Sequence, residues 1–410
     1  MRALLVVKVS VRFQVLFRTG AGAKAPYVAL MTRSAIYLDH NASAPLLPEA
    51  RAAMLAALDL MGNPSSVHGH GRALREVIET GRGQVAKLAG AERKQVVFTG
   101  SATEAITQAV VGGARALKVD RIVISAGEHA AVSKAAEATG LPVTLVGLDA
   151  DGMIRTDEIA AALQQDGTAL VAVHAVNNET GIIQPLARIE ALVGPTPHYL
   201  FIDAVQALGK LDLDFASRPA DMMALSAHKI GGPVGIGALL VKSHADTVRL
   251  IPGGGQEQGR RGGTESASLV AGFGAAAEAF PQHYDAARVA KLTFQLMYRL
   301  RELEGAVVVF GEKAQRVGNV VDFAAPGLKN AVAMMGLDLM GISVSSGSAC
   351  SSGKVGPSHV LAAMGVAPEL ADCALRVSLG WNSTEEDVSA FLQGFEQVLD
   401  RHRRRHGQAA

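Results

Sequence analysis

The apolar pair Ala224-Leu225 runs into Ser226-Ala227-His228-Lys229 and then opens into Ile230-Gly231-Gly232-Pro233. A lysine delivered by the end of a buried strand loses solvent, and a desolvated ammonium has its pKa lowered toward the nucleophilic amine. Such a lysine can form a Schiff base. A second apolar stretch, Leu200-Phe201-Ile202, ends on Asp203 and continues through Ala204-Val205-Gln206. A third, Phe98-Thr99-Gly100-Ser101, leads into Ala102-Thr103-Glu104. That is a strand meeting a helix start, where free backbone N–H groups and the positive end of the helix dipole suit a phosphate.

Each feature is weak alone, since Ser101 and Thr103 are also ordinary capping residues and Lys229 alone reads as a surface lysine. Together, in this order, they are the parts of a pyridoxal 5'-phosphate site. They supply an amine for its aldehyde, a carboxylate to keep the ring nitrogen protonated as an electron sink, and a cradle for the phosphate.

At this point the chain resembles a known family. Tyr37-Leu38-Asp39-His40-Asn41-Ala42, Gly62-Asn63-Pro64-Ser65-Ser66, Glu128-His129 and Val176-Asn177-Asn178-Glu179-Thr180-Gly181 are similar to successive motifs of the class-V aminotransferases. So are Asp203-Ala204-Val205-Gln206, Ser226-Ala227-His228-Lys229 and Ser345-Ser346-Gly347-Ser348-Ala349-Cys350. Within that group the resemblance is strongest to cysteine desulfurases of the NifS and IscS kind, and it runs from about residue 36 to 401.

The resemblance implies that Lys229 carries the cofactor, Asp203 bonds its ring nitrogen, and Ser226, His228, Thr103 and the amide of Ala102 hold its phosphate. It implies that His129 stacks on the ring as an acid/base group, suited by an ordinary pKa of about 6.5. Asn178 and Gln206 match residues at the phenolic oxygen. Thr264 matches a residue that reaches the neighbouring subunit's phosphate, which implies a homodimer with a shared site. Arg376 lies in Ala374-Leu375-Arg376-Val377-Ser378, an otherwise apolar strand where an arginine needs an anion. The resemblance makes that anion the substrate α-carboxylate, while the residues alone equally allow an internal salt bridge. Cys350 decides the reaction: it sits in a run of small residues, and a thiolate there is the nucleophile that takes sulfur from L-cysteine, leaving L-alanine. The persulfide would pass to a scaffold or carrier protein for iron-sulfur clusters or thio-cofactors. Rival readings are a selenocysteine lyase, another class-V reaction with Cys350 incidental, or a catalytically silent partner-binding platform.

These groups need a scaffold. Short Val-, Ile- and Leu-rich runs at 96–99, 121–125, 143–147, 169–175, 199–202, 222–226 and 237–241 read as buried strands. Helical stretches at 102–117, 130–138, 156–165 and 185–192 alternate with several of them. The pattern predicts an α/β fold with a mostly parallel seven-stranded sheet flanked by helices, whose ligands bind beyond the carboxyl ends of the strands. The resemblance names this the fold type I of pyridoxal phosphate enzymes. Residues 61–285 are expected to form the large, cofactor-binding domain, and 286–401 a smaller α/β domain joined by the segment 36–60. The glycine-rich stretch 252–264 reads as a loop, because glycine weakens element interiors.

Composition bounds the rest. At 410 residues the chain exceeds what one core usually fills. A net charge of +1 gives no field for nucleic acid, and no apolar run is long enough to span a bilayer. Two cysteines, Cys350 and Cys373, do not make a disulfide framework, which favours a reducing, cytoplasmic setting. Residues 1–35 carry basic and no acidic charge before Asp39. They read as an extension upstream of the true start or, alternatively, as an organelle-targeting peptide. Residues 402–410 read as a basic, solvated tail.

Overall fold

The computed structural model describes residues 35–303, 307–347 and 357–405. The expectations for the extension before residue 35, for Cys350 and for the end of the basic tail lie outside the described residues.

Twelve strands occur in chain order: β1 (Ile36–Tyr37), β2 (Val96–Thr99), β3 (Arg121–Ser125), β4 (Val143–Val146), β5 (Ala169–His174), β6 (Tyr199–Asp203), β7 (Met222–Ser226), β8 (Gly237–Val241), β9 (Val308–Val309), β10 (Val320–Ala324), β11 (Ile342–Ser343) and β12 (Ala374–Ser378). The second to eighth are the seven strands expected from the sequence. They form one sheet in the order β2-β8-β7-β6-β5-β3-β4, parallel except for β8, which runs against both its neighbours. Its side chains divide between two apolar layers. Val171, Ile202, Met223 and Leu240 belong to one, and Leu170, Ala172, Phe201, Met222 and Leu239 to the other. Both faces are therefore covered, as continuous apolar strands require. β10 pairs with β9 and β12 in a small antiparallel sheet, and β1 pairs with β11.

The connections place the polar residues. β5, β6 and β7 end on His174, Asp203 and Ser226 respectively, so all three emerge along one edge of the sheet. β2 ends on Thr99 and turns directly into a helical run. That run begins as Ala102–Thr107, passes through a π-helical turn at Gln108–Gly112, and ends as Gly113–Ala116. Ser101 caps it by accepting from the Glu104 amide. Gly237, at the start of β8, lets this helix start approach. A Cβ there would lie 2.6 Å from the Ala102 nitrogen.

The helices Pro48–Leu58, Gly69–Leu88 and Ala267–His283 have no counterpart in the sequence expectations. The second carries Gly69, Gly71, Gly81 and Gly83, and the third Gly272, Gly274 and Pro281. Low helix propensity hides them. The glycines serve close packing instead, because a Cβ on Gly274 would lie 2.5 Å from the Gly81 Cα. The stretch 252–264 is a loop with one short 3-10 turn, in which Glu257 and Gln258 adopt φ of 48° and 59°.

Candidate active site

A cavity of about 340 Å³ opens at the carboxyl edge of the sheet, between the strand ends and the helix start at Ala102. Ala102, Thr103, His129, Asn178, Asp203, Gln206, Ser226, His228 and Lys229 all line it. Nine of the residues named from sequence thus share one hollow, although they span some 130 positions of chain.

Asp203 is buried at the end of β6, where its Oδ1 accepts from the Val205 amide at 3.0 Å. Burial pushes its carboxyl above the usual range, and the Val205 N–H offsets part of that. A carboxylate under that strain calls for a cation in the cavity. Lys229, on the 3-10 turn that follows β7, donates from Nζ to the carbonyls of Asn41 at 2.6 Å and Ala42 at 2.9 Å. His228 Nδ1 lies 3.3 Å from Ser43 Oγ. Burial and the Lys229 charge push the His228 imidazole down to about 4, so near neutral pH it is an uncharged polar group. His129 caps the helix Ala130–Ala138, its Nδ1 accepting from the Ala131 amide.

Gln206 Nε2 donates to the Asn41 carbonyl at 2.8 Å, and its Oε1 accepts from Lys210 Nζ at 3.1 Å. Lys210 is a group the sequence reading did not single out. Burial and the charges of Lys229 and Arg376 push it down to about 7. Lys210 and Lys229 both border a small hollow with His40 and Trp381. His174 is the second omission, a buried histidine on the cavity wall beside Asp203. Its signal was available, for it ends a buried strand as Asp203 and Ser226 do.

Two expected residues lie elsewhere. Thr264 is exposed and borders an adjoining hollow with Gly100, Gly235 and Arg261. Its loop is tied to the helix start. The fully buried Glu257 carboxylate accepts from Arg82 Nη1 at 2.6 Å, Arg82 Nη2 at 3.0 Å and the Phe98 amide at 3.0 Å. Arg261 holds both oxygens of Glu104, at 2.7 and 3.1 Å. Arg376 sits inside β12, 1% exposed, donating to Asp39 Oδ1 at 2.8 Å and to the Asn178 carbonyl at 3.0 Å. The internal salt bridge left open by its residue type is therefore present, and Asn178 joins it to the cavity wall. Cys373 is buried, and burial raises its thiol.

The hollow fits pyridoxal phosphate. It combines a helix start, a buried carboxylate held by a backbone N–H, and an amine at the end of a strand. Among the described residues no group of histidine, cysteine, aspartate and glutamate is arranged to hold a metal ion, and no helix is long and apolar enough to cross a membrane.

Comparison with known proteins agrees with this chemistry. The aminotransferase class-V model matches residues 36–391. The cysteine desulfurase IscS of Dictyoglomus turgidum is 35% identical over 377 residues, covering 90% of this chain and 95% of that protein. A human cysteine desulfurase is 36% identical over 392 residues, covering 93% of this chain and 85% of its own. Among solved structures, a NifS-like protein from Rickettsia africae superposes with a TM-score of 0.82 at 29% identity, over 89% of this chain and 99% of that one. SspA in complex with cysteine gives a TM-score of 0.74 at 30% identity, over 85% and 99%. A family match from β1 into the last helix, carried on a fold with this cavity, settles the point: the chain belongs to the class-V aminotransferase family.

Proposed function

We propose that this protein is a pyridoxal phosphate-dependent cysteine desulfurase, converting L-cysteine to L-alanine and taking the sulfur on Cys350. The observation that carries the reading is the convergence of Lys229, Asp203, His129 and the Ala102 helix start on one cavity, in a chain whose relatives are cysteine desulfurases. SspA, solved with cysteine, supports the choice of substrate.

When bound, pyridoxal phosphate supplies an aldehyde for the amine and a ring that draws electrons from the substrate Cα. The amides of Ala102 and Thr103, with Ser226 and His228, hold the phosphate; uncharged His228 donates one hydrogen bond without adding charge. Asp203 bonds the ring nitrogen, and that cation relieves the carboxylate's burial. Asn178 and Gln206 orient the phenolic edge. His129 covers the ring. Lys229 would hold the cofactor through its amine and would move the proton at the substrate Cα. Arg376, one carbonyl behind Asn178, anchors the α-carboxylate through its planar fork. Cys350, as thiolate, would bond to the substrate's sulfur as the carbon-sulfur bond breaks; the electron pair of that bond goes to the carbon, which takes up a proton, and the product leaves as alanine.

A scaffold or carrier protein then receives the sulfur. Thr264 reaches the phosphate of a second copy in a homodimer, a role supported by its exposure and by its absence from the lining of this chain's own cavity. Residues 36–60 and 286–401 act as the smaller domain against the cofactor-binding 61–285, and the protein works in the cytoplasm.

The test is an anaerobic reaction of the reconstituted protein with L-cysteine, following alanine and persulfide in wild type and Cys350→Ser. Equal amounts of both, lost together in the variant, are expected. Alanine formed equally well by the variant would move the protein to another class-V chemistry such as selenocysteine cleavage.

A further inference from the structure

Behind the cavity wall runs a buried polar chain that the proposed reaction does not use. Glu128 is fully buried. Its Oε1 accepts from Ser125 Oγ at 2.5 Å, from the His174 amide at 2.9 Å and from His174 Nδ1 at 2.7 Å. One carboxylate oxygen therefore grips both the backbone and the ring of His174. The backbone of Gly127 runs close beside it, for a Cβ there would lie 3.1 Å from the ring's Cε1. With Nδ1 committed, Nε2 is left on the opposite edge of the ring, buried and without a hydrogen-bond partner. A buried ring nitrogen in that condition is costly, and natural structures seldom keep one without a use.

The place of that nitrogen gives the use. His174 ends β5, Asp203 ends β6, and the two are direct register partners. Register partners on neighbouring strands lie about 5 Å apart and project to the same face. Both line the cavity. Glu128, His129 and His174 act electrostatically on Asp203, and Lys229 and His228 line the same hollow.

We propose that His174 is a positioning residue for Asp203, its ring locked by Glu128 so that Nε2 supports the carboxylate where it meets the ring nitrogen of the bound cofactor. The inference rests on the proposed function, because it needs pyridoxal phosphate in the cavity. Asp203 has one backbone donor, Val205, and His174 supplies the lateral support that a single N–H does not. Ser125 completes the set by holding the same Glu128 oxygen, so the anchor is braced from two sides.

The experiment compares holoenzymes of wild type, His174→Leu, His174→Gln and Glu128→Gln. Two quantities are read at equilibrium: the pH midpoint of the bound cofactor's visible absorption, and the dissociation constant for pyridoxal phosphate. His174→Leu should move the midpoint by roughly one pH unit and weaken cofactor binding about tenfold, by removing the ring's electrostatic support of the Asp203 carboxylate. His174→Gln, which keeps a polar nitrogen, should restore most of both, and Glu128→Gln should shift the midpoint by less than His174→Leu. A midpoint unmoved in His174→Leu, or moved equally by Leu and Gln, overturns the proposal. Should His174→Leu fail to fold, an unmoved midpoint in Glu128→Gln overturns it. Wild-type protein that takes up no pyridoxal phosphate would bring down the functional reading itself, a failure distinct from these.

Discussion

Asp203 and Arg376 are both buried charges on strands, and the chain treats them in opposite ways. Asp203 stands at a strand end, beside a cavity, and accepts from the backbone N–H of Val205. Arg376 stands in the middle of β12, opposite Asp322 of β10, and is met by Asp39 and the Asn178 carbonyl. Inside a strand every neighbour is protein, so a charge must be answered by the chain itself. At the carboxyl edge the chain turns away from the sheet and leaves room for a ligand to answer instead. Asp322 shows how incomplete the internal answer is. It is fully buried, neither carboxylate oxygen has a partner, and burial together with the Glu179 charge pushes its carboxyl well above the usual range.

The contrast predicts that the two clusters fail differently. Lys229→Ala, at the open cluster, should abolish turnover of L-cysteine, with a loss of at least about 10⁴-fold, and should leave the melting temperature of the apoprotein nearly unchanged. A large drop in apoprotein stability would erase the distinction. Arg376→Leu, at the closed cluster, should cost about 3 to 5 kcal/mol in denaturant unfolding, because it strands Asp39 and exposes Asp322 and Glu179 to each other. Stability within about 1 kcal/mol of wild type would show that Arg376 serves the substrate carboxylate alone and not the fold.

The smallest effect concerns pH. The folded pKa of Asp322 is raised, so its contribution to stability is fully present below its unfolded value near 3.8 and is lost as pH rises toward the folded value. Asp322→Asn should therefore match wild type below about pH 4 and gain on it steadily above. Parallel unfolding curves across that range would mean that Asp322 is not held protonated.

How far the sequence revealed this molecule depended on whether a residue served its own element or a distant one. The seven strands of the large sheet were legible because each is a short apolar run closed by a polar or glycine residue, and Asp203 and Ser226 stood out as those closers. His174 closes β5 in the same way but went unnoticed, because its partner Glu128 lies 46 positions away and the pairing exists only after folding. Lys210 was hidden for a similar reason: its depressed pKa comes from burial and from the charges of Lys229 and Arg376, all of which exist only in the folded chain. The helices Gly69–Leu88 and Ala267–His283 were illegible because their glycines oppose helix propensity and answer close approaches made only on folding, such as that of Gly81 to Gly274. Arg376 was recognised as needing an anion, but no local pattern names Asp39, 337 positions earlier.

Glu257 links the loop at 252–264 to the front of the sheet in a way that bears on mechanics. A single carboxylate binds the Arg82 guanidinium and the amide of β2's Phe98, while Arg261 grips Glu104 one turn into the helical run. Sliding the loop by even an ångström would strip a fully buried charge of its partners, so intermediate positions carry a steep penalty. A tether of this kind does not behave as a spring that yields in proportion to load. It behaves as a rigid clamp, so the strand and the helix start it fastens keep one position relative to each other.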